Sequence, residues 1–292
     1  MIVGSGILDL VPRITRSYLV CATPRSGSTL LCEALKATGV AGCPEEYFEA
    51  VPATGTRRRP RDYLAGLDDP EALALVGGDV PDEQPAYSSL RGVERYADHL
   101  ARVREWGTTP NGVFGAKIMW TQLSDLATFA GEDPGCRGRP YADLLATLFD
   151  DPRYVWVRRR DTVRQAVSLW RAMQTQFWRA NEEPPVSRPG APEPRYSFAA
   201  LHHLARMLRD DDAGWERFFA ERRHPVLVLT YEELAADLLG MVRRTLDHLG
   251  VAPPEGPLPA PRQMRRQSDE LSERWVEAYA RDAAARLTFP TR

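Results

Sequence analysis

Residues 18–32, YLVCATPRSGSTLLC, decide the fold. Residues 18–22 are apolar throughout and read as a buried strand. Thr23, Pro24, Arg25, Ser26 and Gly27 break the run, and a helical stretch opens at Ser28 and continues to Thr38, with Gly39 placed to end it. A strand that turns through Gly, Ser and Thr into a helix offers an anion its free N–H groups and the positive end of the helix dipole. The Gly-Lys-Ser/Thr ending of an ATP-binding loop is absent, and Arg25 is the cation of the turn. Taken alone the signal is weak, because many strand–helix junctions are built this way.

Working outward, strand-like runs alternate with helical ones. Residues 112–120 (GVFGAKIMW) predict a strand, introduced by the turn signal Thr109-Pro110-Asn111-Gly112. Residues 154–158 (YVWVR) predict another, running into a helix that Asp161 caps and whose apolar positions Val163, Ala166, Val167 and Trp170 recur at helical spacing. Residues 226–230 (VLVLT) predict a further buried strand, followed by one helix to about Leu249. Short apolar strands between helices imply an α/β fold with a central parallel sheet flanked by helices, and ligands beyond the carboxyl ends of the strands. The Pro-rich stretches 182–196 and 252–263 read as loops, and no linker splits the chain, so residues 1–292 are expected to form one domain.

The net charge of −2 gives no general case for nucleic acid or an anionic membrane as partner. The basic residues are clustered nevertheless, at Arg57 to Arg59, Arg158 to Arg160, and Arg262 with Arg265 and Arg266. Only Lys36 and Lys117 are lysines. Arginine clusters in a near-neutral chain fit a compact polyanion better than an extended one. Four cysteines and five histidines show neither paired nor metal-type spacing, so no disulfide framework and no metal are expected. The N-terminal stretch lacks a basic region and a signal-type apolar run, and no segment approaches a membrane span. A cytoplasmic protein is expected. Ser168 lies eight residues beyond Arg160, so an Arg at a strand end and a Ser two turns into the next helix can converge on one phosphate.

These residues resemble a known family. The blocks YLVCATPRSGSTLLCEALKATGVAG, PEEYF, TPNGVFGAKIMW, RQAVSLWRAMQT, TYEEL with LDHLGV, and RQSDE are similar, in this order, to sulfotransferases that use 3′-phosphoadenosine-5′-phosphosulfate (PAPS), and most closely to the bacterial Stf0 type. The resemblance implies that Arg25, Ser26, Gly27, Ser28 and Thr29 hold the donor's 5′-phosphosulfate, and that Arg159 or Arg160, with Ser168, holds its 3′-phosphate. It implies Tyr231 near the adenine, and Arg266 closing over the phosphates. A sulfuryl group carries less charge than a terminal phosphoryl, so neither magnesium nor its Walker serine is needed. PAP is then the product, and a homodimer is implied by analogy.

Transfer to a hydroxyl needs a base. The cytosolic sulfotransferases resembled here use a His two residues beyond a Lys; this chain has Lys117 and then Met119, whose thioether cannot serve. The Stf0 pattern implies Glu46 as base, in Cys43-Pro44-Glu45-Glu46-Tyr47-Phe48, with Lys117 stabilising charge on the transferred group and the departing phosphate. Burial against Tyr47 or Phe48 is expected to raise the Glu46 carboxyl towards a useful range. The acceptor implied is a hydroxyl of a small carbohydrate such as trehalose, attacked in line. Because the pattern has an acid where this chain has Cys43, a glycosylated secondary metabolite is the alternative. A P-loop small-molecule kinase is the reading from another class; it requires the missing Gly-Lys-Ser/Thr and an Asp at a strand end, which residues 154–158 and 226–230 do not offer. A nucleotide-binding protein without catalysis would lack both Glu46 and Lys117, and both are present.

Overall fold

A computed structural model describes residues 13–51, 56–57, 60–76, 96–178, 193–221, 225–259 and 270–288. Strand β1 (Arg16–Ala22) is the expected first strand, extended by two residues at its start. It pairs in parallel with β4 (Val113–Met119) on one side and β5 (Arg153–Arg158) on the other, and β5 pairs in parallel with β6 (Val226–Thr230). The order is therefore β4-β1-β5-β6. A two-residue hairpin of β2 (Ala50–Val51) and β3 (Thr56–Arg57) stands apart from this sheet.

Residues 18–22 have no exposed surface, because helices cover both faces of the sheet, and this is why they read as an unbroken apolar run. On one face Tyr18 and Val20 pack with Leu31 and Leu35 of α1 (Ser28–Ala37) and with Val242 and Leu246 of α9 (Leu238–Leu249). On the other, Leu19 and Cys21 pack with Ile118, Trp156 and Trp215; the last belongs to α7 (Phe198–Ala220), and its indole N–H donates to the Ala22 carbonyl at 2.9 Å. Around this face lie α3 (Tyr96–Trp106), α4 (Leu123–Ala130) and α5 (Tyr141–Phe149). A third apolar cluster joins α7 to α6 (Thr162–Thr175), α2 (Pro70–Leu75) and α10 (Glu270–Thr288). The parallel register sets Ala22 beside Met119 and Val157, and Arg158 beside Thr230, so the strand ends open on one edge.

The caps follow the sequence. Gly39, with φ +71°, follows the Thr38 cap of α1, and the Asp161 carboxylate accepts from the Arg164 N–H at 2.9 Å to start α6. One expectation is corrected. The segment after β6 is two helices, α8 (Tyr231–Ala236) and α9, not one. Thr230 and Glu233 form a capping box that starts α8; Asp237 then leaves helical geometry, ends α8, and accepts from the Gly240 N–H at 2.8 Å to start α9. Of the Pro-rich stretches, 193–196 and 252–259 are non-helical and outside the sheet, and the remainder lies outside the described residues.

Candidate active site

The turn after β1 is held from within and from α6. Arg25 sits at φ +63° and Gly27 at φ +90°, so two residues adopt the left-handed conformation. For the arginine this costs about 1–2 kcal/mol, which the surrounding contacts sustain. Gly27 cannot be replaced freely, since a Cβ there would lie 2.8 Å from Cδ2 of Tyr231. Gln165 of α6, itself buried, donates its amide to the Thr23 hydroxyl at 2.9 Å and to the Pro24 carbonyl at 2.6 Å. Ser168, one turn further along the same helix face, accepts from Nε of Arg25 at 3.1 Å, and a second Arg25 nitrogen donates to the Trp178 carbonyl. Ser28 and Thr29 open α1, where N–H groups have no carbonyl a turn earlier to bond.

Three of the residues expected to hold the donor, Ser168, Arg159 and Tyr231, lie against this turn. The Arg159 guanidinium lies 4.4 Å over the Tyr231 ring and reaches the Arg25 carbonyl at 3.5 Å. Arg160 is exposed, and its backbone N–H bonds Glu232 at 3.4 Å. Geometry thus separates the two: Arg159 faces the turn. Arg266 lies outside the described residues. Arg158, at the strand end, pairs with Asp212 and stacks on Trp156. A cleft of about 580 Å³ runs along these arginines, but neither the turn residues nor Glu46 borders it, so it is not the space over the turn. Two polar atoms at the turn are buried without a hydrogen-bond partner, the Ser26 hydroxyl and Nε of Arg159. A buried hydroxyl and a buried guanidinium N–H left without partners at the same turn suit an oxyanion, which would accept from both.

The catalytic candidates converge from the other edge of β1. Lys117 stands on β4 and is 2% exposed. Its ammonium donates to the Thr29 hydroxyl at 3.0 Å and to the Glu46 carboxylate at 2.7 Å. Burial works to lower the Lys117 pKa, but the charge and hydrogen bond of Glu46, with Cys32 and Glu45, outweigh it and hold it above its ordinary value. The loop bearing Glu46 is seated along the edge strand: the Lys117 N–H donates to the Glu45 carbonyl at 2.9 Å, and the Cys43 N–H to the Gly107 carbonyl at 2.9 Å. His99 of α3, buried, bonds the Tyr47 carbonyl at 2.9 Å, and Tyr47 returns its hydroxyl to the Cys43 carbonyl at 2.6 Å. Glu45 turns away from Glu46 and pairs with Lys36, which also holds Glu33 at 2.6 Å. Both thiols of the neighbourhood stay protonated at neutral pH: burial pushes Cys32 up to about 12 and also raises Cys43.

Sequence reading missed Gln165, Gln122 and His99, all buried polar residues. Gln165 lies one turn before Ser168 on the face already assigned to phosphate, and that spacing was the available signal. The tryptophans divide. Trp170 is wholly core, Trp120 packs edge-on against Trp215 at 5.2 Å, and Trp178 leans on Tyr63 with its carbonyl on Arg25. Among the described residues no group of three or more His, Cys, Asp or Glu could hold a metal ion, and no helix is long and apolar enough to cross a membrane.

An α/β protein whose parallel sheet carries an arginine-lined, phosphate-type turn beside a Lys–Glu pair is equipped for transfer of an anionic group. Residues 17–282 match the Stf0 sulphotransferase family model, and the chain belongs to that family. Two curated relatives are similar along almost the whole chain. The trehalose 2-sulfotransferase of Mycobacterium tuberculosis is 39% identical over 280 residues, 96% of this chain and 99% of its own. The trehalose 2-sulfotransferase of Mycolicibacterium smegmatis is 38% identical over 274 residues, 91% and 95% of the two chains. Among solved structures, a sulfotransferase from Alicyclobacillus acidocaldarius is 14% identical with a TM-score of 0.44, covering 92% of this chain and 93% of that one.

Proposed function

We propose that this protein transfers the sulfuryl group of PAPS to a hydroxyl of a small carbohydrate, with trehalose the first acceptor to test because both curated relatives carry that activity in their names. The observation that carries the reading is the placement of Lys117, whose ammonium joins the phosphate turn at Thr29 to the carboxylate of Glu46. Bound PAPS supplies the sulfuryl group and departs as PAP. The turn residues Arg25, Ser26, Gly27, Ser28 and Thr29 would hold its 5′-phosphosulfate, and Arg159 with Ser168 its 3′-phosphate, with Arg160 and Arg266 as further donors and Tyr231 against the adenine. The orphaned Ser26 hydroxyl and Arg159 Nε fit such a ligand. Ser168 accepts from Arg25 and keeps its own proton to donate.

In the mechanism, Glu46 takes the acceptor hydroxyl's proton as the oxygen attacks in line. Lys117 would stabilise the negative charge that gathers on the transferred group and the departing phosphate. The alternative thiol bases are protonated, and the second acid of the loop is committed to Lys36. The reading extends to a single cytoplasmic catalytic domain working as a homodimer without metal, which fractionation, sedimentation and assay in EDTA test.

The deciding experiment is calorimetric titration with PAP beside ATP, followed by assay of Glu46→Gln. Micromolar PAP binding without magnesium and a kcat lowered about 10²–10⁴-fold in the variant are expected; magnesium-dependent ATP binding with PAP silent would overturn the reading. A neutral, half-exposed thiol at Cys43 on the loop that carries Glu46 favours a second acceptor class, a glycosylated secondary metabolite. Competition between such a glycoside and trehalose distinguishes the two.

A further inference from the structure

We propose that Gln122 is a positioning residue that sets the orientation of the Glu46 carboxylate; the inference rests on Glu46 being the base. Gln122 closes the single 3-10 turn Trp120–Gln122 between β4 and α4, and it is 3% exposed. The Met119 N–H donates to its side-chain oxygen at 2.9 Å. A backbone N–H can only donate, so that contact fixes which end of the amide is oxygen and which is nitrogen. The nitrogen end is thereby turned to Glu46, where it donates to Oε2 at 3.1 Å. Lys117 donates to the other oxygen, Oε1, at 2.7 Å.

With a rigid donor at each oxygen, the plane of the carboxylate is set. That matters because the terminal torsion of a glutamate is broad and has no strong preference of its own. The Glu46 side chain is 23% exposed, so packing alone does not hold it. A general base acts only with its free lone pair aimed at the proton it removes, and misplacement costs rate steeply. Gln122 adds to the Lys117 contact on Oε1 a second donor on Oε2, from a different element. Glu46 interacts electrostatically with Lys117 from β4 and with Cys32 from α1, and Lys36 of α1 and Glu45 of its own loop act on Cys32 as well. Gln122 adds a neutral donor to this set, and a donor to the ionised form favours ionisation.

The test is Gln122→Glu. It keeps an oxygen for the Met119 N–H, and with it the local fold, but replaces the donor facing Glu46 by a second acid. Two readouts are taken: titration of the Glu46 carboxyl by NMR, with the signal identified by its loss in Glu46→Gln, and kcat with PAPS and trehalose. The midpoint is expected to rise by about one pH unit, since a donor is lost and a like charge gained. The rate is expected to fall about tenfold with PAP affinity unchanged. In the Glu46→Gln background the same change should add nothing. A wild-type midpoint in Q122E overturns the proposal. If Q122E does not fold, Gln122→Met is read the same way, per PAP-binding site, and a wild-type midpoint there overturns it equally. A near-normal rate in E46Q overturns the base itself and the positioning role with it; a collapsed E46Q rate beside an unchanged Q122E overturns the positioning role alone.

Discussion

At Lys117 one ammonium meets a hydroxyl of the turn after β1 and the carboxylate of Glu46, on a strand otherwise buried among apolar side chains. Replacing it with Met removes the charge that links the two halves of the site, while Glu46 keeps enough exposure to hydrate. Steady-state kinetics of Lys117→Met should show kcat lowered by about 10²–10³-fold, with thermal unfolding reporting a folded protein. Gly27→Ala should act differently. Its Cβ would press on Tyr231 and its φ of +90° is strained for any side chain, so stability should fall by about 1–2 kcal/mol and PAP binding should weaken; denaturant unfolding and calorimetry check both. The turn was legible because its Gly, Ser and Thr follow a strand signal; Glu46 and Lys117 were singled out only by the family resemblance, and the structure adds that they touch. Gln122, Gln165 and His99 were not legible. A buried glutamine and a surface one look alike along a chain, and only the packed fold shows where their hydrogen bonds go. Arg159 and Arg160 likewise could not be separated by spacing, and the cation–π contact with Tyr231 is what distinguishes them.

Among the elements, α6 has the most varied duty: its cap is Asp161, its first buried polar residue braces the turn, and its second turn brings Ser168 to Arg25. Asp161→Ala should cost about 1 kcal/mol of stability through the lost cap. Because the frayed turn lies between Arg159 and Gln165, PAP affinity should fall with it; a variant that loses stability but binds PAP as tightly as the parent would separate α6 from the donor site. Strands β1, β4, β5 and β6 were readable to within two residues, since a strand buried on both faces must be apolar along its length. The break between α8 and α9 was hidden, because Asp237 interrupts a helical pattern without the Gly or Pro that usually marks a stop.

For the molecule as a whole, burial sets the response to acid. It lowers the pKa of His99 and His248, in each case outweighing a hydrogen bond to a backbone carbonyl, that of Tyr47 or Tyr154. A histidine held neutral by the fold binds its proton more readily in the unfolded chain, so stability is present above the ordinary value near 6.5 and is lost as pH falls below it. The melting temperature should drop between about pH 7 and 5, and His99→Gln, which keeps a donor for the Tyr47 carbonyl, should flatten that drop; an unchanged slope would assign it to other groups. The scarcity of lysine has its own consequence. Lys36 and Lys117 are the only two in the chain, and both end on the loop that carries Glu45 and Glu46. Lys117 is buried, which leaves Lys36 as the accessible side-chain amine. Amine coupling to a sensor surface or resin would therefore tether the protein beside the loop that carries Glu46, and immobilised preparations should be attached through another chemistry.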